Sequence, residues 1–192
     1  MQILVIGNQV SFEECSMKFG DGHEYIHVGS HENAVEHLPD SDVVFDFIID
    51  EEPDQLEIYF GAPAKIFLNT CNITLGELWH YFNNDIRCDA FGFNGMPTFL
   101  ERDILEVSIF KKKTKADLAN VCEALGTDYL IVDDRIGLVT PRIICMIINE
   151  AYYTVQEGTA SKADIDAGMK LGTNYPFGPF EWCAKIVITH VY

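Results

Sequence analysis

Ile3-Leu4-Val5-Ile6-Gly7-Asn8-Gln9-Val10-Ser11-Phe12 opens on an unbroken apolar, β-forming run, Ile3 to Ile6, that stops at Gly7 and passes into a helical pattern over Ser11–Phe19. A strand that is apolar at every position has no face for water, so the run predicts a strand inside a parallel sheet covered on both sides. Outward from it, further short apolar runs fall at Tyr25–Val28, Val43–Ile49, Lys65–Asn69, Ala90–Phe93, Leu105–Phe110 and Tyr129–Val132. Amphipathic stretches at Ala34–Leu38, Leu75–Phe82 and Lys115–Leu125 alternate with them, the pattern of strands crossed over by helices. Thr114, with Asp117 three residues on, is a capping-box-like start for the last helix, and Gly126 stands where a helix-ending glycine belongs.

From Arg142 the texture changes. Ile143 to Gln156 reads as a long apolar helix broken at Gly158, Ser161-Lys162-Ala163-Asp164 caps a second helix ending near Gly172, and after the turn-rich Gly172–Pro179 a third covers Phe180–Ile186. The expected organisation is an α/β domain over 1–135 and a small all-α domain over 136–192, within what 192 residues can build. Residues Ile143, Met146, Ile147 and Ile148 are expected to be core.

Composition narrows the partners. At 48% apolar residues the chain has enough apolar material to offset chain entropy. A formal net charge of −17 argues against nucleic acid and anionic membranes, which are bound through clustered Lys and Arg. NAD or CoA would bind only where local donors, such as N–H groups at a helix N-terminus, outweigh that repulsion. The cysteines Cys15, Cys71, Cys88, Cys122, Cys145 and Cys183 are scattered without Cys-x-x-Cys spacing or a companion His pair, so reduced thiols and no metal site are expected. The first apolar run is too short for a signal or a membrane span, and cytoplasmic residence is expected.

Gly137-Leu138-Val139-Thr140-Pro141-Arg142-Ile143 through Asn149-Glu150-Ala151, then Glu157-Gly158, Ala163-Asp164-Ile165-Asp166, Met169-Lys170-Leu171-Gly172 and Tyr175-Pro176-Phe177-Gly178-Pro179-Phe180-Glu181 form one ordered string. It resembles the C-terminal domain of the 3-hydroxyacyl-CoA dehydrogenases. The resemblance implies a Rossmann-like domain upstream, NAD as cofactor, an acyl-CoA substrate and pairing of two subunits through the helical domain. Upstream, Asn69-Thr70-Cys71 is similar to the family's Asn-Thr-Ser segment, and Phe93-Asn94 with Leu105-Glu106-Val107 is similar to the segment carrying its catalytic His, Asn and Glu. So carried over, the site residues are Asn94, Glu106 and Cys71, with Gly7, Asn8 and Asn69 toward the cofactor.

Family members pass hydride from the 3-hydroxyl to NAD while a histidine takes the proton. Aligning Asn94 with the family asparagine puts Phe91 at the histidine position, and a one-residue slip gives Gly92; neither accepts a proton. His80, Asp103 and Glu106 are the nearest alternatives: His80 reads as an ordinary part-buried helix residue, while Glu106 fits by context and Asp103 by strict spacing. At the first turn only Gly7 of the Gly-x-Gly-x-x-Gly pattern remains, and Val10 and Phe12 are expected to fill space the phosphates need. Ile26-His27-Val28-Gly29-Ser30 offers no acid for the ribose, Glu32 being the nearest, and a helical excursion before Val43 is missing. Cys71 replaces the substrate-contacting serine and Pro141 replaces an asparagine.

Lys111-Lys112-Lys113-Thr114-Lys115 could hold CoA phosphates or be a solvated turn; helix capping accounts for Asp164, and an exposed first helical turn for Asp166. The expected function is that of a 3-hydroxyacyl-CoA dehydrogenase relative with weak or lost activity. The alternatives are a binding or scaffolding protein that keeps an acyl-CoA cleft and acts through its dimer partner or a larger complex, and an enzyme recruiting Cys71 or Asp103 for another reaction.

Overall fold

In the computed structural model, which describes residues 1–83, 87–110 and 115–186, β1 (Gln2–Ile6) lies second from one edge of a seven-stranded sheet, ordered β2-β1-β3-β4-β5-β6-β7. Its partners are β2 (Glu24–Val28), β3 (Val43–Asp46), β4 (Lys65–Asn69), β5 (Ala90–Phe93), β6 (Ile104–Ser108) and β7 (Asp128–Val132). Ile3 and Val5 enter one apolar cluster with α1 (Gln9–Phe19) and α4 (Lys115–Leu125), through Cys15, Phe19, Leu118 and Cys122. Leu4 and Ile6 enter the other, with Ala34, Leu56, Tyr59 and α3 (Leu75–Tyr81). Both faces are therefore covered, which is what an all-apolar strand requires.

Neighbouring strands are parallel except β5 and β6, which pair antiparallel through Gly92↔Ser108 and Phe93↔Val107. The sheet is thus mostly parallel, as expected, with one antiparallel pair. The connector from Asn94 to Asp103 contains no helix, and without a crossover the chain turns back beside β5. The third strand stops at Asp46 rather than Ile49 because the Asp46 carboxylate accepts Ile48 N–H at 2.9 Å and pulls the backbone out of the ladder. The helix expected at Ala34–Leu38 begins earlier, as α2 (His31–Ala34), because Ser30 caps it, and a 3-10 turn at Leu38–Asp40 follows. The Thr114 cap and the basic run from Lys111 to Thr114 lie outside the described residues.

The chain divides into two compact units, one ending at Leu138 and one beginning at Val139. The second holds α5 (Thr140–Gln156), α6 (Lys162–Thr173) and α7 (Pro179–Lys185). Ile144, Ile148 and Ala151 of α5 are buried, as are Trp182 and Cys183 of α7. Ile143 and Met146 are 55% and 66% exposed, so the core expected on α5 holds for Ile148 and not for these two, which lie on its other side.

The family-like string of this unit has a local physical cause. Gly178 passes so close to Asp166 that a Cβ would collide with its side chain. Asp166 Oδ1 accepts Phe180 N–H at 2.8 Å, and Glu181 accepts Gly178 N–H at 2.9 Å while pairing with Lys170. Asp166 is thus the acceptor for the start of α7 rather than only a solvated first-turn acid. No helix of the described residues is long and apolar enough to cross a membrane.

Candidate functional site

The chain runs from β1 out to β2 and then back across β1 to β3, so the sheet changes winding direction between β1 and β3. In open α/β sheets ligands lie at the carboxyl ends of the strands beside that switch point. The residues gathered there are Gly7 and Asn8 after β1, Phe47 and Asp50 after β3, Asn69 to Asn72 at and after β4, and Asn94 after β5.

Gly7 is needed for packing, since a Cβ on it would lie 3.0 Å from Phe47 Cβ and 3.2 Å from Ser11 Cβ. Asn8 caps α1, its Oδ1 accepting Ser11 N–H at 3.0 Å, and so occupies a donor that a bound phosphate would otherwise meet. Val10 is half-exposed, and Phe12 is turned onto β2, stacked on His27 at 4.8 Å and edge-on to Tyr25 at 6.3 Å. Phe12 therefore packs on β2 instead of filling the phosphate space as expected, while Val10 stays half-exposed in the first turn of α1. Asn8 caps the turn from one side, and His27 Nε2 lies 2.9 Å from Gly7 O.

Asn69 knits the rim together. Its Nδ2 donates to Phe47 O at 3.1 Å, and its Oδ1 accepts Gly95 N–H at 3.2 Å and Cys71 N–H at 3.3 Å. Gly95 is pressed against it, a Cβ there falling 2.8 Å from Asn69 Cγ. Asn94 is buried and its Oδ1 accepts Met96 N–H at 3.2 Å and the Cys71 thiol at 3.3 Å. Burial pushes the Cys71 thiol up to about 12, with the charges of Asp50 and Glu106 adding to the rise and the Met96 and Gly95 N–H groups opposing it. A thiol so held is protonated at neutral pH and is a poor nucleophile.

A family model described as "3-hydroxyacyl-CoA dehydrogenase, C-terminal domain" matches residues 137–192. The human mitochondrial hydroxyacyl-coenzyme A dehydrogenase is 30% identical over 151 residues, covering 73% of this chain and 47% of that protein. The chain belongs to the 3-hydroxyacyl-CoA dehydrogenase family. It spans about half the length of the curated relatives it matches first. The Escherichia coli 3-hydroxyadipyl-CoA dehydrogenase is 46% identical over 61 residues, 32% of this chain and 13% of that protein. The solved (S)-3-hydroxybutyryl-CoA dehydrogenase of Ralstonia eutropha shares the fold, with a TM-score of 0.62 at 19% identity over 93% of this chain and 79% of that one.

Within this family member, Phe91 at the histidine position is 0% exposed and packs on Phe67 at 5.1 Å in the cluster beneath α1 and α4. Gly92 has no room for any side chain, because a Cβ would strike Ser108 Oγ and Thr70 Oγ1. His80 is exposed on α3, which corrects its part-buried reading. Of the two acids, Glu106 is buried on β6, beside Val107 that pairs with Phe93, and its charge helps to raise the Cys71 pKa. Asp103 is exposed, and its carbonyl is tied to Lys18 Nζ at 2.9 Å. The structure therefore brings together Asn69, Cys71, Asn94 and Glu106 on one side and Gly7 with Asn8 on the other.

Sequence reasoning missed Asp134, which accepts Leu75 N–H and Gly76 N–H at 2.9 and 2.8 Å and Ser108 Oγ–H at 3.3 Å, and Asp50, which accepts Asn72 Nδ2–H at 2.7 Å. Neither has a local signal, since each is paired with a strand or helix far along the chain. The Asn8 cap did have one, an asparagine directly before a helical pattern.

Proposed function

We propose that this chain is a 3-hydroxyacyl-CoA dehydrogenase family protein with very weak or absent oxidoreductase turnover, a pseudoenzyme of fatty-acid metabolism. The observation that carries this reading is Phe91: the proton-accepting position is a fully buried apolar side chain in the sheet core. Around it, Asn94 and Cys71 are hydrogen-bonded to each other rather than presented to a ligand. NAD, the cofactor the family implies, does not fit the residues present. Asn8 covers the first turn, His27 is fastened to Gly7, and Ser30, where a ribose acid is expected after β2, is the cap of α2.

An acyl-CoA-type ester is the small molecule this reading retains, beside the rim that holds Asn94, Cys71 and Glu106. A second reading, a homodimeric scaffold, is favoured by one observation, the exposed Ile143 and Met146 on α5. A cytoplasmic location belongs to the same proposal. The test is steady-state NADH formation from a 3-hydroxyacyl-CoA, with an active dehydrogenase assayed alongside. Turnover at least about a hundredfold below the active enzyme is expected, the scale of a missing general base. Ordinary turnover would overturn the proposal.

A further inference from the structure

His31, the first residue of α2, is 1% exposed, and both its ring nitrogens meet carboxylates. Nε2 lies 2.8 Å from Asp46 Oδ2 and Nδ1 lies 2.9 Å from Glu52 Oε2. Asp46, fully buried at the end of β3, also accepts Tyr59 O–H at 2.8 Å and Ile48 N–H at 2.9 Å. The Glu52 side chain is 54% exposed. The titratable groups around the ring are therefore Asp46 from β3, Glu52 from the following turn, Tyr59 from the 3-10 segment Pro53–Tyr59, and Cys88 near the tyrosine.

Hydrogen-bond chemistry decides the protonation state. An ionised carboxylate only accepts, and a neutral imidazole has one N–H and one lone pair. Neutral His31 would satisfy one carboxylate and set lone pair against lone pair at the other. Only the imidazolium, with two N–H donors, meets both. Burial disfavours that charge, and the hydrogen bonds and charges of Asp46 and then Glu52 outweigh it, leaving the His31 pKa raised above 6.5.

The chain between the two carboxylates also touches the candidate site. Phe47 O accepts from Asn69 Nδ2 at 3.1 Å, and Asp50 accepts from Asn72 Nδ2 at 2.7 Å and from Asn69 Nδ2 at 3.5 Å. We propose that His31 is a doubly protonated clamp whose deprotonation releases Glu52 and loosens the 47–52 segment that holds Asn69 and Asn72, a pH-sensitive latch on the rim of the sheet. The proton leaves to solvent. Asp46 keeps the remaining N–H because it is buried and held by Tyr59 and Ile48, while Glu52 already faces water. The latch operates whether or not the chain turns over a substrate.

The experiment is long-range ¹⁵N NMR of the imidazole together with hydrogen-exchange protection of residues 47–61, corrected for intrinsic rates, from about pH 5 to about pH 9. The expected result is two protonated ring nitrogens at the acid end and a protection factor falling about tenfold as the ring titrates. His31→Ala would remove a buried ring and disturb the fold, so the decisive variant is Glu52→Gln at a half-exposed position. Its amide can donate to neutral Nδ1, so the ring should titrate at lower pH and protection should no longer fall with it. A single ring N–H throughout the range, protection unchanged across the titration, or wild-type pH dependence in Glu52→Gln would each overturn the latch.

Discussion

Phe91 and Cys71 carry the chemistry at the scale of single residues. Restoring a histidine by Phe91→His should not restore turnover, because the position faces the core rather than the rim. It should lower stability by about 3 kcal/mol through lost aromatic packing and a poorly solvated ring, read by denaturant unfolding. The thiol of Cys71, raised to about 12 and buried, should resist alkylation in the native protein up to about pH 9 and react on unfolding, as followed by mass spectrometry. Native labelling at neutral pH would revive an activated Cys71. The site residues were readable from sequence as identities: Asn69, Cys71, Asn94 and Glu106 do converge. Their states were not, because whether an asparagine faces a ligand or its neighbour depends on residues brought from other strands. His31 and Asp46 show the same limit, since their contact exists only once α2 is laid against β3.

Elements are set by caps and close approaches that sequence partly displays. The apolar runs gave strand positions because burial on both faces leaves no polar positions to confuse them, and the capping signal at Ser161 matches the observed start of α6. The antiparallel turn from β5 to β6 was not readable, because the connector differs from a crossover only in lacking a helix. Asp134→Ala should cost about 1–2 kcal/mol by leaving the first N–H groups of α3 without their acceptor. Gly178→Ala should cost about 2 kcal/mol by forcing Asp166 away from the start of α7. Both are measured by thermal or chemical denaturation, and a neutral Gly178→Ala would contradict the packing given for that turn.

The whole molecule joins a family fold to a rim on which Asn69, Cys71 and Asn94 are hydrogen-bonded from within. One consequence is a pH dependence of stability opposite to that of an ion-paired carboxylate whose pKa is lowered. His31 has a folded pKa above its free value of 6.5, so its contribution is fully present below about pH 6.5 and is lost as pH rises through the folded pKa. Unfolding midpoints should therefore fall on the alkaline side of that window, and less so in Glu52→Gln. The central claim concerns the cofactor and the base together, and calorimetric titration with NADH, beside a separate titration with acetoacetyl-CoA and an active dehydrogenase as control, tests it most directly. No NADH binding up to about millimolar concentration is predicted, whether or not the CoA ester binds. Micromolar binding of NADH would contradict the closed first turn at Gly7 and Asn8 and, with it, the reading of this chain as a dehydrogenase relative that has left redox chemistry behind.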